Sequence, residues 1–249
     1  MNKKWRSYKS RYMIMVKIGN ILFHIRNYVF PFSALLLFIT GPEIHPDWFL
    51  VMLVGLFVVI LGETVRIGTI GLTYIIRGGK NRKIYAKGLV AEGVFKHVRN
   101  PMYIGNELIL IGMAIATNNL VLVAIAVPLG AFIYLAITLA EEDFLRKQFG
   151  PEYDEYCKAT PRFLPNFSGI IDTYRNSVFH WKRVLVKEFN TIYAWNLAWS
   201  SLLLYHLWMC SGPSNIELYK LDTEVFIAVI TIVYLIMIII KKRKLIVAD

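Results

Sequence analysis

One polar stretch of this chain combines residue types that could bind a small charged molecule. It runs from Gly88 to Gly105 and reads GLVAEGVFKHVRNPMYIG. Pro101 suits the first turn of a helix, and the backbone N–H groups at a helix N-terminus attract anionic groups. Arg99 would add a positive charge beside them. The stretch is therefore a candidate site for a carboxylate or a similar anion.

A pair of carboxylates, Glu141-Glu142, could complete this site from a second helix. The apolar runs 103–116 and 120–140 are separated only by Thr117-Asn118-Asn119, which predicts a tight antiparallel hairpin. A hairpin brings its two outer ends together, so the acidic pair would face the start of the first helix. Donors and a cation opposite carboxylates match a zwitterion with a carboxylate and an ammonium. The methionine part of S-adenosylmethionine is such a group.

The elements that must position these residues are membrane helices. Hydrophobic residues make up 56% of the chain, against about 45–50% in soluble domains, and they collect in uncharged runs. These runs predict an all-α membrane protein with about six transmembrane helices, at roughly 28–40 (or from Ile21), 48–65, 103–116, 120–140, 192–210 and 225–240. The second helix is expected to continue to Ile76. A spanning helix needs about 20 apolar residues, so 103–116 is short on its own.

Charge placement predicts how the chain is oriented. The net charge is +11, yet the basic residues lie beside the apolar runs, which argues against a nucleic-acid partner. If the N-terminus is cytoplasmic, every one of the 28 lysines and arginines except Lys220 falls on the cytoplasmic side. Lys and Arg concentrate in cytoplasmic loops. We therefore expect both termini and the candidate site at the cytoplasmic face of a bilayer.

The segment after the hairpin predicts two short cytoplasmic helices. Glu141, Leu145 and Phe149 share one helical face, and Gly150 suits the position after a helix end. Pro151 suits the start of a second helix, which would end at Thr160-Pro161. The two cysteines and five histidines show no metal-ligand spacing, so no metal site is expected.

Three motifs together resemble a known family. They are GVFKHVRNPMYIG, EEDFLRKQFGPEYDEY and PRFLP, within roughly 60–165. This combination resembles the isoprenylcysteine carboxyl methyltransferase family, and the related phospholipid N-methyltransferases share the general pattern. The resemblance implies an integral-membrane methyltransferase that uses S-adenosyl-L-methionine in a pocket at the cytoplasmic face. Taken together with the apolar runs, it divides the chain into a basic segment 1–27, a methyltransferase core 28–165 with the resemblance strongest at 60–165, and a segment 166–249 with two further helices.

The resemblance also implies which residues contact the cofactor. Carried over by position, the contacts fall on Lys87, Gly88, Leu89, Val90, Phe95, Asn100, Pro101, Met102, Tyr103 and Glu141. Lys87 and Asn100 stand where the family often has His, and Phe95 stands where it often has Tyr. Arg99 and Glu107 are the candidates for a catalytic role. Glu107 would lie one turn below Tyr103, where it could touch the acceptor or pair with Arg66, and Arg66 could instead pair with Glu63.

The methyl acceptor is the least defined part of this prediction. Eukaryotic members of the resembled family hold a prenylcysteine carboxylate with an Arg four residues before the first Glu of the acidic pair, where this chain has Ile137. Arg66 or Arg77 could compensate. We expect a membrane-embedded or small apolar acceptor, with a phospholipid amine or a small thiol as alternatives. A transporter or scaffold would be the alternative of another class, but transporters place their polar sites near the midplane of the bilayer.

Overall fold

The computed structural model describes residues 3–33, 39–73, 77–80, 83–86, 88–243 and 245–246, and it describes side chains within these ranges except at 3–8, 27–33, 77–80, 83 and 210–220. Its helices are α1 (Lys3–Ser33), α2 (Trp48–Leu72), α3 (Pro101–Ala116), α4 (Leu120–Phe149), α5 (Pro151–Ala159), α6 (Ile170–Arg175) and α7 (Trp181–Lys242). A hairpin of β1 (Arg77–Lys80) and β2 (Lys83–Ala86) and a 3-10 turn (Gly93–Lys96) complete the fold. The all-α class is confirmed apart from this small hairpin, which the sequence did not predict.

α2 and α3 pack antiparallel through two pairs of glycines. A Cβ atom added at Gly62 would lie 2.6 Å from the carbonyl oxygen of Gly105. One added at Gly112 would lie 2.5 Å from the carbonyl oxygen of Gly55. Small residues at these four positions let the two backbones approach closely, which is how helices commonly associate in lipid.

The predicted α3–α4 hairpin is confirmed, and its turn also fixes the α1–α2 connection. The side chain of Asn119 caps α4 by accepting from Leu122 N at 3.0 Å. The side-chain oxygen of Asn118 accepts hydrogen bonds from Ile44 N and His45 N at 3.0 and 3.1 Å. The turn and the α1–α2 connection therefore lie at one end of the molecule, opposite the end that carries the motifs.

α4 is longer than the predicted span at 120–140. We expected a separate helix to begin at Glu141, but α4 continues without a break to Phe149. It ends at Gly150, whose φ of 55° is strained for residues with a side chain. α5 then follows and ends at Thr160, as predicted. The acidic pair is thus held inside a long helix rather than at a frayed end.

α1 begins at Lys3, well before the predicted span at 28–40. Val16, Gly19 and Phe23 are buried at spacings of three and four residues, which forms an apolar stripe despite the basic residues around it. Gly19 lies directly against the backbone of Ala136 on α4. Residues 34–38 of the predicted span lie outside the described residues.

α7 folds back on itself, although its backbone is helical from Trp181 to Lys242. The ring of Tyr193 stacks on that of Tyr234 with centroids 4.1 Å apart, and Lys241 Nζ lies 5.0 Å from the centroid of the Phe189 ring. A straight helix would separate residues 193 and 234 by about 60 Å. The two halves are therefore antiparallel, and the chain reverses its direction between Tyr193 and Thr231, whose side-chain oxygens lie 3.3 Å apart.

Three stretches of the described residues are long and apolar enough to cross a membrane: Trp48–Leu72, Leu120–Phe149 and Leu221–Lys242. α3 is apolar but shorter. The chain is therefore built as an integral membrane protein with at least these candidate spans. The full count of six spans stays a prediction, since 192–210 does not qualify and 28–40 is only partly described.

Candidate active site

The two outer ends of the α3–α4 hairpin meet at a hydrogen bond between predicted site residues. Tyr103 Oη donates to Glu141 Oε1 at 3.0 Å. Glu141 is only 6% exposed, so its carboxylate is held inside the bundle. The Tyr103 ring also packs against Tyr134 of α4, with centroids 5.4 Å apart. The hairpin thus brings together the residues from the two motifs that the sequence placed on opposite helices.

Glu142 forms a separate ion cluster. Arg162 donates two hydrogen bonds of 2.8 Å to its two carboxylate oxygens, and Arg99 Nη1 lies 3.1 Å from Oε1. Glu142 is 2% exposed, and its hydrogen bonds raise the pKa of the Arg162 guanidinium above the ordinary value. Arg99 is therefore engaged in an ion pair that joins the motif to α4 and to the segment after α5. Adjacent helical residues point about 100° apart, which explains why the two glutamates serve different contacts.

The strand and loop before α3 are fixed against α4 and α5. Tyr156 Oη donates to the carbonyl oxygen of Phe95 at 2.7 Å, and Gln148 Nε2 donates to that of Ala86 at 2.9 Å. A buried cluster of Ala86, Leu145, Tyr153 and Tyr156 lies beneath, and Leu89 packs against it. The pinned loop therefore reaches the same end of the bundle as the hairpin.

The predicted cofactor contacts line this end in different degrees of exposure. Phe95, Asn100 and Pro101 are buried, Leu89, Val90, Met102 and Tyr103 are half-buried, and Gly88 is exposed. A Cβ atom at Gly88 would meet nothing within 4 Å, so there is open space at this point of the loop. Lys87 lies outside the described residues.

Asn100 and His97 hold the motif in place. Asn100 Nδ2 donates to the carbonyl oxygen of Arg162 at 3.2 Å. His97 is 3% exposed, with Nδ1 2.8 Å from the carbonyl oxygen of Asn166 and Nε2 2.7 Å from Thr173 Oγ1. With both ring nitrogens engaged, His97 holds the loop before α3 to the segment after α5.

The polar layer one turn deeper differs from both predicted pairings. Arg66 Nε donates to Glu188 Oε1 at 2.6 Å, and Glu188 is fully buried. Arg66 also donates to Thr191 Oγ1 at 3.0 Å and to Asn106. Neither Glu63 nor Glu107 therefore pairs with Arg66. Sequence reasoning missed Glu188 because it placed this residue in a cytoplasmic connection. A possible signal was the spacing of Glu188 and Thr191, one helical turn apart.

Glu107 is half-buried, but both of its carboxylate oxygens are enclosed between α3 and α4 without a hydrogen-bond partner among the described residues. Its Oε2 lies 2.8 Å from where a Cβ atom of Gly130 would be. Glu63 on α2 is likewise buried, and neither of its carboxylate oxygens has a hydrogen bond within the part of the chain that the structure describes. In the same residues, no group of three or more His, Cys, Asp or Glu side chains could hold a metal ion.

Comparisons with known proteins agree with this architecture. The family model described as phospholipid methyltransferase matches residues 49–152, which include α2, the motif, the hairpin and both glutamates of the acidic pair. A probable protein-S-isoprenylcysteine O-methyltransferase of Oryza sativa subsp. indica is 35% identical over 130 residues, covering 50% of this chain and 65% of the relative. The resemblance inferred from the motifs is thus confirmed over this part of the chain.

Two further relatives match a similar share of the chain, and one of them carries a different kind of name. Protein-S-isoprenylcysteine O-methyltransferase B of Arabidopsis thaliana is 32% identical over 119 residues, which is 45% of this chain and 57% of that protein. The nickel-cobalt-cadmium resistance protein NccN of Alcaligenes xylosoxydans xylosoxydans is 30% identical over 109 residues, or 42% and 51% of the two chains. The chain spans about half the length of the curated relatives it matches. No solved structure matches.

Proposed function

We propose that this chain is an integral-membrane methyltransferase that transfers a methyl group from S-adenosyl-L-methionine to a membrane-embedded or small apolar acceptor. The observation that carries the proposal is the 3.0 Å hydrogen bond from Tyr103 Oη to Glu141 Oε1, which joins the outer ends of the α3–α4 hairpin. It lies inside the segment that matches the phospholipid methyltransferase family. The cofactor supplies a methyl group that is already activated on a sulfonium.

The chain's own residues would bind and orient this cofactor. The Glu141 carboxylate is suited to accept a hydrogen bond from an ammonium group. The backbone N–H of Met102 in the first turn of α3 is suited to a carboxylate, since Pro101 has no N–H and those of Tyr103 and Ile104 donate to the carbonyl oxygen of Asn100. The loop of Gly88, Leu89 and Val90 would cover the remainder, with Phe95, Asn100, Pro101 and Met102 at the base. Such a site accelerates transfer by alignment and by excluding water.

The polar groups nearby disfavour an acceptor that carries a carboxylate. Ile137, in the position of the resembled family's carboxylate-binding Arg, is 1% exposed and apolar. Arg66 is already neutralised by Glu188 at 2.6 Å. A buried anion without a cationic partner is costly. We therefore infer that the acceptor is neutral or an amine. An amine would have to lose a proton, for which the unpartnered Glu107 is the candidate base.

We also propose that the site and both termini lie on the cytoplasmic side of the membrane. The arrangement of the ends supports this. The α3–α4 turn and the α1–α2 connection share one end, where Asn118 contacts Ile44 and His45. The loop 88–100, α5 and the charged clusters occupy the other. The basic side chains predicted to be cytoplasmic therefore include those of the candidate site, Arg99 and Arg162.

Binding and transfer measurements test this function. The full chain in lipid nanodiscs would be incubated with methyl-labelled S-adenosyl-L-methionine and a total extract of host lipids and small molecules, and the labelled product identified. A chain that binds the cofactor and labels a lipid-like product supports the proposal. Failure to bind the cofactor at all, in protein that is folded and monodisperse, would favour the alternative of a non-catalytic transporter or scaffold.

The acceptor class has its own test. Farnesylated N-acetylcysteine, which carries a carboxylate, would be compared with extracted host lipids as acceptor for the same enzyme preparation. We expect poor methylation of the prenylcysteine. Efficient turnover of the prenylcysteine with none of the host lipids labelled would show that another cationic group replaces the Arg that is absent at Ile137. The inference of a neutral or amine acceptor would then be wrong.

A further inference from the structure

The segment between α5 and α7 lies across the motif. We call residues 161–181 the strap. Its inner face is tied to the loop before α3, where the carbonyl oxygen of Pro161 accepts from Arg99 N at 2.9 Å and Asn166 N donates to the carbonyl oxygen of His97, also at 2.9 Å. The strap is therefore held in a defined position over this end of the bundle.

The strap also lies against the last turns of α2. Tyr174 Oη is 3.0 Å from the position that a Cβ atom of Gly68 would take, and the ring of Phe179 covers Gly71. His180 N donates to the carbonyl oxygen of Gly71 at 2.8 Å. Since α2 is apolar enough to cross a membrane and ends at Leu72, these contacts place the strap at the level where that helix would leave the lipid.

The outer face of the strap is apolar and uncovered. Five large hydrophobic side chains are mostly exposed: Leu164 at 83%, Phe167 at 71%, Ile171 at 63%, Val178 at 73% and Trp181 at 67%. A series of such residues in one ordered segment marks an interaction surface rather than a random scatter. Two exposed basic residues, Arg175 and Lys182, lie among and beside them.

We propose that the strap is a membrane-docking surface for a bilayer that contains anionic lipids. The five hydrophobic side chains enter the boundary between headgroups and acyl chains, and Arg175 and Lys182 contact lipid phosphates. This combination of apolar and basic residues is typical of segments that lie in the membrane interface, and tryptophan is enriched at that depth. The proposal holds whether or not the chain transfers methyl groups.

Two observations and one general property of membranes favour a bilayer over a soluble protein as the occupant. The strap leads directly into α7 at Trp181. It contacts the end of α2, whose exposed residues Phe57, Ile60 and Leu61 form a lipid-facing surface that would continue into the strap. Basic side chains near a membrane are attracted by anionic headgroups. A second copy of the chain and a soluble partner are the other occupants that the test distinguishes.

Site-directed spin labelling of the full chain measures where the strap lies. Single cysteines replace Phe167 or Val178 in a Cys157→Ser, Cys210→Ser background, and the protein is reconstituted in nanodiscs of phosphatidylcholine and phosphatidylglycerol. Phe57→Cys on α2 is the lipid reference, and Glu155→Cys, exposed on α5, is the water reference. Labels at 167 and 178 should collide with oxygen rather than with a water-soluble nickel complex, as at 57.

Two other outcomes would overturn the proposal. Labels at 167 and 178 that behave like the one at 155 would place the strap in water. Labels shielded from both reagents would show that a second copy or another protein covers it. A second measurement avoids replacing the native cysteines. Brominated lipids should quench part of the tryptophan fluorescence, and the quenched fraction should be smaller in the Trp181→Phe variant. An unchanged quenched fraction in that variant would contradict docking.

The basic residues give the anionic component of the test. With the native basic residues, the label at 167 should lie deeper in anionic than in neutral nanodiscs, which is its response to phosphatidylglycerol. In the variant with Arg175→Gln and Lys182→Gln, the label should lose this response and report the same shallow depth in both. The matched control also removes two charges, by changing the exposed lysines Lys147 on α4 and Lys158 on α5, both outside the strap, to Gln, and it should keep the response. An equal loss in both variants would show that net charge, and not the strap, senses the lipid.

Discussion

Two adjacent glutamates on one helix have different roles in this molecule. Glu141 points to Tyr103 and Glu142 points to two guanidinium groups. Their separation follows from helical geometry, in which neighbouring residues face directions about 100° apart. The sequence predicted that an acidic pair would face the motif, but it did not predict which member would be enclosed by arginines, because Arg162 comes from a segment without a helical pattern.

Glu141→Ala is expected to weaken S-adenosyl-L-methionine binding by about 1.5–3 kcal/mol, the usual contribution of a charge-assisted hydrogen bond. Isothermal titration calorimetry on detergent-purified protein measures the change. Tyr103→Phe, which removes only the partner hydroxyl, should have a smaller effect, and Glu155→Ala at an exposed position of α5 serves as the control. Unchanged affinity in folded Glu141→Ala protein would remove this residue from the site.

Glu142→Gln is expected to destabilise the fold. The substitution leaves Arg99, whose side chain is 10% exposed, without its carboxylate, and breaking a buried ion pair typically costs about 3–5 kcal/mol. We expect the lower end because the Arg162 side chain is 37% exposed and can be solvated. Unfolding followed by tryptophan fluorescence in detergent measures the effect, with Glu152→Gln on the exposed face of α5 as control. Equal stability of the two variants would show that the ion pairs of Glu142 with Arg99 and Arg162 do not stabilise the fold.

At the scale of elements, the helix pair α2–α3 depends on its glycines. Gly62→Val places a side chain where the Gly105 carbonyl oxygen is 2.6 Å from the Cβ position. Because that oxygen belongs to a helix backbone, the two helices must separate, and overpacking of this kind typically costs about 1–3 kcal/mol or more. Thermal unfolding in detergent should show a clear loss of stability. Leu61→Val, next to it but 43% exposed, should change little, and equal behaviour of the two variants would contradict close packing.

Most helices could be predicted from apolar runs, whereas their ends and partners could not. α2, α3 and α4 begin within two residues of the predicted positions, because the apolar runs begin there; Asp47 and Asn119 cap α2 and α4, and Pro101 occupies the first turn of α3. The helical stretch from Glu141 to Phe149 was predicted, but its continuity with the run 120–140 was not, because these last turns are polar outside and are buried by α1, α5 and the strand before α3. The early start of α1 was missed for a similar reason. Its apolar residues form a narrow stripe that packs against α4, rather than the continuous apolar run of a helix surrounded by lipid.

The candidate site followed a comparable pattern. The meeting of Tyr103 and Glu141 was predictable, since a short turn forces the ends of a hairpin together. The ion pair of Arg66 and Glu188 was not, because its partners are 122 residues apart and belong to helices with no short connection between them. Single-sequence patterns define faces and ends, but they do not identify which distant face a polar residue will meet.

At the scale of the whole molecule, the two ends of the bundle differ in charge, and this predicts its orientation. Cysteines introduced at Ile44 and Asn215 should react with a membrane-impermeant reagent from outside intact cells, whereas those at Lys83 and Lys158 should react only after permeabilisation. The reason is the concentration of Lys and Arg on the cytoplasmic side of membrane proteins. Labelling at Lys83 from outside would invert or abolish the proposed topology.

The ion pair that joins α2 to α7 has a consequence for how the chain is made. Arg66 is made early in synthesis, and its partner Glu188 is added 122 residues later. At roughly 5–20 residues per second, translation takes several seconds to bridge that interval. During this time the guanidinium can contact Asn106 on the neighbouring helix and lies near the Glu63 carboxylate on its own helix, but it lacks the ion pair with Glu188. The link between α2 and the first half of α7 therefore forms late in synthesis, after the residues of the candidate site between them have been made.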